Sequence, residues 1–342
     1  MPETPAEPPG LDLARLRAHL DRELPGLVQG PLRADLVEGG RSNLTYVLTD
    51  GTDRWVLRRP PLGHVLATAH DMGREYRVMT ALRDTDVPVP RTLLLDPGTD
   101  VLGAPWYLME FVPGVAHRAL APIAALGEQR VHALGRRLVD TLAALHRIGP
   151  ADVGLADFGR PDGYLERQLR RWSTQLANSR SRELPDVERL HALLAERRPI
   201  SPAPALVHGD YRLDNVLVGD GDAITAVLDW EMSTLGDPLT DVGLLVMYTE
   251  VAGVGGGIIP SAATAPGFPK PDELVAYYAE LTGRQAADLD WYVAFASFKL
   301  AVVAEGIHYR YQQGGTLGAG FERAGEMAPI LARYGLSTLK EH

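Results

Sequence analysis

Leucines at positions 11, 13, 16 and 20 stand among Arg, Asp and Glu at helical spacing, and Pro25-Gly26 closes the pattern; residues 11–24 therefore predict an amphipathic helix. The period then shortens. Residues 32–38, 44–49 and 54–58 read as strands, the last two joined by Asp50-Gly51-Thr52-Asp53, a strong hairpin signal. Residues 71–82 return to helical spacing with Tyr76, Met79 and Leu82 on one side, and 92–95 and 106–111 make two further strands. Beyond Pro113-Gly114 the pattern is mostly helical. Val131, Leu134, Leu138, Leu142 and Leu145 line one face of a predicted helix over 124–148, and further helices follow over 164–177 and 187–196, with an Arg/Ser-rich loop at 178–182. Short β-type runs at 206–207, 216–218 and 224–228 interrupt this second part, and 290–313 is a long helix with Trp291, Phe295, Phe298 and Val302 as its core stripe. The pattern predicts an α+β chain with a lobe boundary near Pro113-Gly114.

Composition narrows the picture in three ways. A formal net charge of -10 and a pI near 5.5 argue against a nucleic-acid binder, which needs a basic face for phosphates. The chain has no Cys, which removes disulfides, thiolate metal sites and cysteine nucleophiles. No apolar stretch is long enough to cross a bilayer, and residues 1–10, acidic and proline-rich, read as a disordered tail; the expected location is the cytoplasm. Nearly all positive charge is Arg. The only lysines are Lys270, Lys299 and Lys340, so any cation needed in the first part of the chain must be an arginine.

The chemistry concentrates in His208-Gly209-Asp210-Tyr211-Arg212-Leu213-Asp214-Asn215, held between short apolar runs, and in Val227-Leu228-Asp229-Trp230-Glu231 at the end of the next run. Asp210 can accept or orient the proton of an attacking hydroxyl. The amide oxygen of Asn215 and the carboxylate of Asp229 are hard oxygen ligands that suit Mg²⁺ bridging the phosphates of ATP. The expected acceptor is a hydroxyl.

The spacing H-x-D-x-x-x-x-N matches the catalytic loop of protein kinases, and Asp229 stands where their metal-binding Asp follows the next strand. With Gly209 in second place and Trp230 after Asp229, HGDYRLDN and LDWE resemble the aminoglycoside phosphotransferase (APH) family of kinase-like small-molecule phosphotransferases, and within it the branch fused to acyl-CoA dehydrogenases. The resemblance covers about residues 32–334. It implies a protein-kinase-like two-lobed fold: a small β-rich nucleotide-binding N-lobe over 11–113 and a larger, mainly helical C-lobe over 114–342, with the active site between them. It also implies a functional link to an acyl-CoA dehydrogenase.

The resemblance distributes further roles. The loop Gly39-Gly40-Arg41-Ser42-Asn43 is the phosphate flap, with Ser42 and Asn43 as nucleotide contacts. On the strand over 54–58, Val56 and Arg58 share a face, Val56 roofing the adenine and Arg58 replacing the usual phosphate-binding Lys. Glu75, from the following helix, is the carboxylate that orients Arg58, with Arg59 as the fallback cation. Glu110 and Val112 belong to the hinge whose backbone pairs with adenine. His208 braces the catalytic loop, and Asp241 accepts hydrogen bonds from its backbone, although Asp237 competes with Asp241 for the helix cap. Arg212, Lys299 and Arg310 are the acceptor-side cations; Lys299 and Arg310 fall in one sector of the last long helix, flanking Gly306, suited to an anionic metabolite of the hydroxyacyl-CoA kind. The alternatives are an aminoglycoside, sugar or amino-alcohol kinase, and a catalytically silent nucleotide-binding module. Oligomeric state is not legible in the sequence.

Overall fold

The computed structural model describes residues 8–37, 43–62, 71–254, 259–314 and 323–339. The chain divides into two compact units: residues 1–113 with 225–231, and residues 114–224 with 232–342. Residues 225–231, which the sequence pattern leaves within the second part, pack with the first unit.

The first unit is a five-stranded antiparallel sheet, β1 (Arg33–Leu36), β2 (Leu44–Thr49), β3 (Arg54–Arg59), β4 (Thr92–Asp96) and β5 (Trp106–Glu110), in the order β1-β2-β3-β5-β4. The hairpin at Asp50–Asp53 forms because the Asp50 carboxylate accepts the N–H groups of Thr52 and Asp53, each at 2.9 Å, while Gly51 takes a φ of 98°. Alternation along the strands gives one core. Tyr46, Leu48, Trp55, Leu57, Trp106 and Leu108 are buried together with Leu16 and Leu20 of helix α1 (Leu13–Glu23), whose N-terminus is capped by the Asp12 side chain. Helix α2 (Met72–Leu82), capped by Asp71, packs on β4 and β5 and carries Glu75 in its first turn.

Pro8–Gly10, the described end of the predicted disordered tail, is held to this sheet. The Tyr46 hydroxyl donates to the Pro9 carbonyl and the Arg59 guanidinium to the Gly10 carbonyl. Residues 1–7 lie outside the described residues.

The second unit is helical: α3 (Leu120–Ala124), α4 (Glu128–Arg147), α5 (Tyr164–Ser179), α6 (Pro185–Glu196), α7 (Leu239–Glu250), α8 (Pro271–Thr282), α9 (Leu289–Gln312) and α10 (Ala324–Thr338). The helix predicted over 124–148 is α4, which starts at Glu128 because Gly127 adopts a φ of 83° and separates it from α3. Helix α10 escaped the pattern reading because Pro329 interrupts it; it packs extensively on α9. Helix α9 is buried along most of its length up to Ile307, with Phe298 and Val302 at zero exposure. A two-stranded antiparallel pair, β6 (Ala205–Val207) with β9 (Thr234–Gly236), sets the loop that begins at His208; β7 (Val216–Val218) follows it and β8 (Ile224–Val227) leads to Asp229.

Candidate active site

The first unit gathers a buried polar cluster. Alternation on β3 sends Arg58 and Arg59 to opposite sides of the sheet. Arg58 lies 3.2 Å from Glu75 and 3.0 Å from Asp229, whereas Arg59 turns to the carbonyls of Gly10 and Leu102 and takes no part in the cluster. Glu75, 1% exposed, also accepts from the Tyr107 hydroxyl at 2.9 Å and the Asn43 amide at 3.0 Å. Asn43 donates in addition to Glu231, at 3.2 Å. Burial opposes the charge of Arg58, but Glu75, Tyr107 and Asp229 outweigh it and hold the guanidinium charged. One guanidinium nitrogen, Nε, is buried without a hydrogen-bond partner among the described residues. Asp229 takes a φ of 67°, a conformation non-glycine residues adopt only where their surroundings enforce it.

Other predicted nucleotide residues sit on the same unit. Val56 is half-buried on β3, facing Met109 across the ladder. Glu110 ends β5, its N–H on the Arg91 carbonyl, and Val112 is half-buried just beyond it. Ser42 lies outside the described residues.

In the second unit the His208–Asn215 loop is fixed from below. Asp241, fully buried in the first turn of α7, accepts from the backbone N–H groups of His208 at 2.7 Å and Gly209 at 2.8 Å, and meets His146 of α4 at 3.2 Å. The His146 ring in turn contacts the Tyr278 hydroxyl at 2.8 Å. Asp237, just ahead of α7, accepts from Leu239 N–H at 3.0 Å instead, while Asp241 takes the loop. Gly209 is at a φ of 82°, and a Cβ there would stand 2.7 Å from the Met232 carbonyl; only glycine fits. His208, buried, accepts the Asp210 N–H on Nδ1 at 3.1 Å.

Asp210 itself is left partly open, with 23% of its side chain exposed. The Asn215 amide nitrogen donates to its carboxylate at 2.9 Å and to its carbonyl at 2.8 Å, which turns the Asn215 amide oxygen away from Asp210. Arg212 stands 3.4 Å from Asp210 and 3.3 Å from Asp214, with its guanidinium 4.9 Å from the centre of the Tyr248 ring. Asp214 is buried against Arg212 and Arg118.

Beside Gly209, residues of α5, α7 and α9 line a small hollow. Trp172 and Phe295 supply apolar wall, and Arg171 and Lys299 supply positive charge. Arg310, the other predicted cation on α9, does not line it: eleven positions on, it is about 16 Å farther along the helix axis and exposed. Glu305, between them, is fully buried and accepts from Ser181 and Arg182, locking the loop after α5. Arg171 and Trp172 were missed in the sequence, where they look like two more residues of an Arg-rich amphipathic helix. Among the described residues no three His, Cys, Asp or Glu side chains cluster as a metal site, and no helix is long and apolar enough to cross a membrane.

Asp241 makes the loop's stability pH-dependent. Burial raises its pKa, but His146, His208 and the backbone N–H of His208 outweigh this and hold the carboxyl below the usual range. Its stabilising contribution is complete above about pH 4, the unfolded value, and is lost as pH falls through the lower folded value. In urea titrations at a series of pH values, the stability gap between wild type and Asp241→Asn is expected to be widest near neutrality and to shrink below about pH 4. A gap independent of pH would mean the carboxyl is buried protonated.

The Phosphotransferase enzyme family profile matches residues 33–277. Acyl-CoA dehydrogenase family member 11 of Gallus gallus is 33% identical over 340 residues, 96% of this chain and 44% of the relative. Acyl-CoA dehydrogenase family member 10 of Mus musculus is 32% identical over 322 residues, 92% of this chain and 30% of the relative. The chain thus spans less than half the length of these curated relatives. A crystal structure of a putative aminoglycoside phosphotransferase from Ralstonia eutropha JMP134 matches with a TM-score of 0.81 at 33% identity, covering 96% of this chain and 98% of that one. A ternary complex of aminoglycoside phosphotransferase APH(4)-Ia with AMP-PNP and hygromycin B shares the fold at a TM-score of 0.61 and 16% identity, covering 96% and 99% of the two chains.

Proposed function

Because the chain belongs to the Phosphotransferase enzyme family and has its kinase-like α+β fold, we propose that it is an ATP- and Mg²⁺-dependent kinase that moves the γ-phosphoryl group to a hydroxyl of a small molecule. The observation that carries this reading is the Asp210 carboxylate, open to a ligand while Asp241, His208 and Asn215 fix the loop around it. In this reading Asp210 orients the acceptor hydroxyl and takes its proton as the oxygen attacks phosphorus.

The donor set suits Mg²⁺. Asn215, its amide nitrogen occupied by Asp210, offers an amide oxygen, and Asp229 a carboxylate; each is a hard oxygen donor of the kind this ion takes. When bound, it would neutralise charge developing on the phosphate oxygens. Arg58, oriented by Glu75 and with Nε unmatched, is the proposed phosphate-binding cation in place of Lys. Asn43, Val56 and the backbone around Glu110 and Val112 are the proposed nucleotide contacts, joined by Ser42.

For the acceptor we propose an anionic metabolite, a hydroxyacyl thioester of the CoA class in the first instance. Arg171 and Lys299, lining the hollow beside Gly209, favour it over a polycationic aminoglycoside or an amino alcohol. Names of the relatives add a proposed functional link to an acyl-CoA dehydrogenase, and the expected compartment is the cytoplasm. A silent nucleotide-binding module is the competing reading. The test is mass spectrometry of a metabolite extract incubated with the protein and ATP, with Mg²⁺ or with EDTA. An ion heavier by one phosphoryl group, formed only with Mg²⁺, is expected and identifies the acceptor by its parent mass. No such ion across extracts rich in acyl-CoAs, sugars and amino alcohols would favour the silent module.

A further inference from the structure

We propose that Lys299 is a positioning residue for Asp210, holding the peptide unit between Gly209 and Asp210 by its carbonyl. The Lys299 ammonium donates to the Gly209 carbonyl oxygen, while the N–H at the other end of that peptide donates to His208 Nδ1 at 3.1 Å. The preceding peptide is held by Asp241, which accepts the Gly209 N–H at 2.8 Å. The Gly209 N–H and both polar groups of the 209–210 peptide are thereby occupied. This matters because Gly209, at a φ of 82°, has no side chain to resist rotation, and a turn of the 209–210 peptide would re-aim the Asp210 carboxylate. Asp241 and His208 hold N–H groups; Lys299 alone among these partners holds the carbonyl.

The cation is built in at a cost. Burial lowers the Lys299 pKa, Asp210 and Asp241 pull it back up, and Arg171 and Arg212 push it down again. The Trp172 ring, 5.5 Å from the ammonium, completes its surroundings. An ammonium has three donors, and the carbonyl engages one. Lys299 also lines the hollow beside Gly209, so an anionic acceptor bound there would share this cation with the catalytic loop. Lys299 thus has a structural task in addition to any contact with the acceptor. The catalytic consequence rests on the phosphotransfer reading; the clamp on the peptide does not.

The test compares full-length wild type, Lys299→Met and Lys299→Ala by hydrogen–deuterium exchange with mass spectrometry, alongside kinetics. Peptides covering 206–216 are expected to exchange about tenfold faster in Lys299→Met, with the rest of the chain unchanged. Turnover is expected to fall on the order of 100-fold while KM for ATP holds. Propylamine added to Lys299→Ala is expected to restore both protection and turnover by refilling the cation site. Unchanged exchange over 206–216 in both variants overturns the proposal, as does a chain-wide rise that propylamine does not reverse, which would make Lys299 a packing residue. Unchanged turnover despite faster exchange overturns the catalytic role. If wild type phosphorylates no acceptor, the phosphotransfer reading fails, and the exchange and its rescue by propylamine still decide whether Lys299 holds the loop.

Discussion

Asp210→Asn is expected to lower phosphoryl transfer about a thousandfold, equivalent to roughly 4 kcal/mol in the barrier, while leaving ATP affinity nearly unchanged. The substitution is close to isosteric. An Asn at this place can still accept from Asn215, the partner that Asp210 has at 2.9 Å, and its backbone N–H still reaches His208. What it loses is the second carboxylate oxygen. An amide nitrogen there presents a donor to a hydroxyl that must itself donate, so the loop survives and the proton has nowhere to go. Steady-state ADP release with the identified acceptor measures turnover, and calorimetric titration with a non-hydrolysable ATP analogue measures affinity. A fall of less than about tenfold would take Asp210 out of proton handling and leave it a positioning role.

Arg58→Met is expected to destabilise the first unit by about 3 kcal/mol, because it strands two carboxylates that the guanidinium pairs. Glu75 is the more severe case. It is 1% exposed, and its remaining donors, Tyr107 and Asn43, are neutral. Asp229, 28% exposed at its side chain, recovers part of its hydration. Urea unfolding followed by circular dichroism reads the loss, and the paired variant Arg58→Met/Glu75→Leu should be less destabilised than the two single changes added together. The same Arg58→Met protein should bind ATP more weakly, since Arg58 is the proposed phosphate cation. Additive stability losses would show that Arg58 and Glu75 are neighbours without being partners.

Much of this arrangement could be read from local pattern. The period of two on β3 separates Arg58 from Arg59, and the absence of lysine before Lys270 leaves arginine as the only cation for that face. Asp and Asn at fixed spacing between two short β runs mark the loop at His208. What escaped the reading depends on contacts distant in sequence. The resemblance assigns Asp241 to the loop, as observed, but local pattern alone does not separate it from Asp237; its contact with His146, on a different helix, lies far away in sequence. Helical periodicity put Lys299 and Arg310 on one face, but periodicity carries no information on length along the axis, and the two are about three turns apart. Trp172 becomes a wall of the hollow only because α5 packs on α9.

The return of Thr225–Glu231 to the first unit sets an order of events during synthesis. A nascent chain emerging through Pro113 carries every strand of the five-stranded sheet, yet Arg58 then has Glu75 and lacks Asp229. Completion of the buried cluster waits until translation has passed Glu231, after the whole His208–Asn215 loop has been made. Vectorial folding of an N-terminal unit, the usual course for a multi-part chain, is therefore deferred here. A fragment cut at Pro113 is expected to be a sheet with an unfinished interior, and the metal-binding carboxylate we propose is among the last pieces the first unit receives.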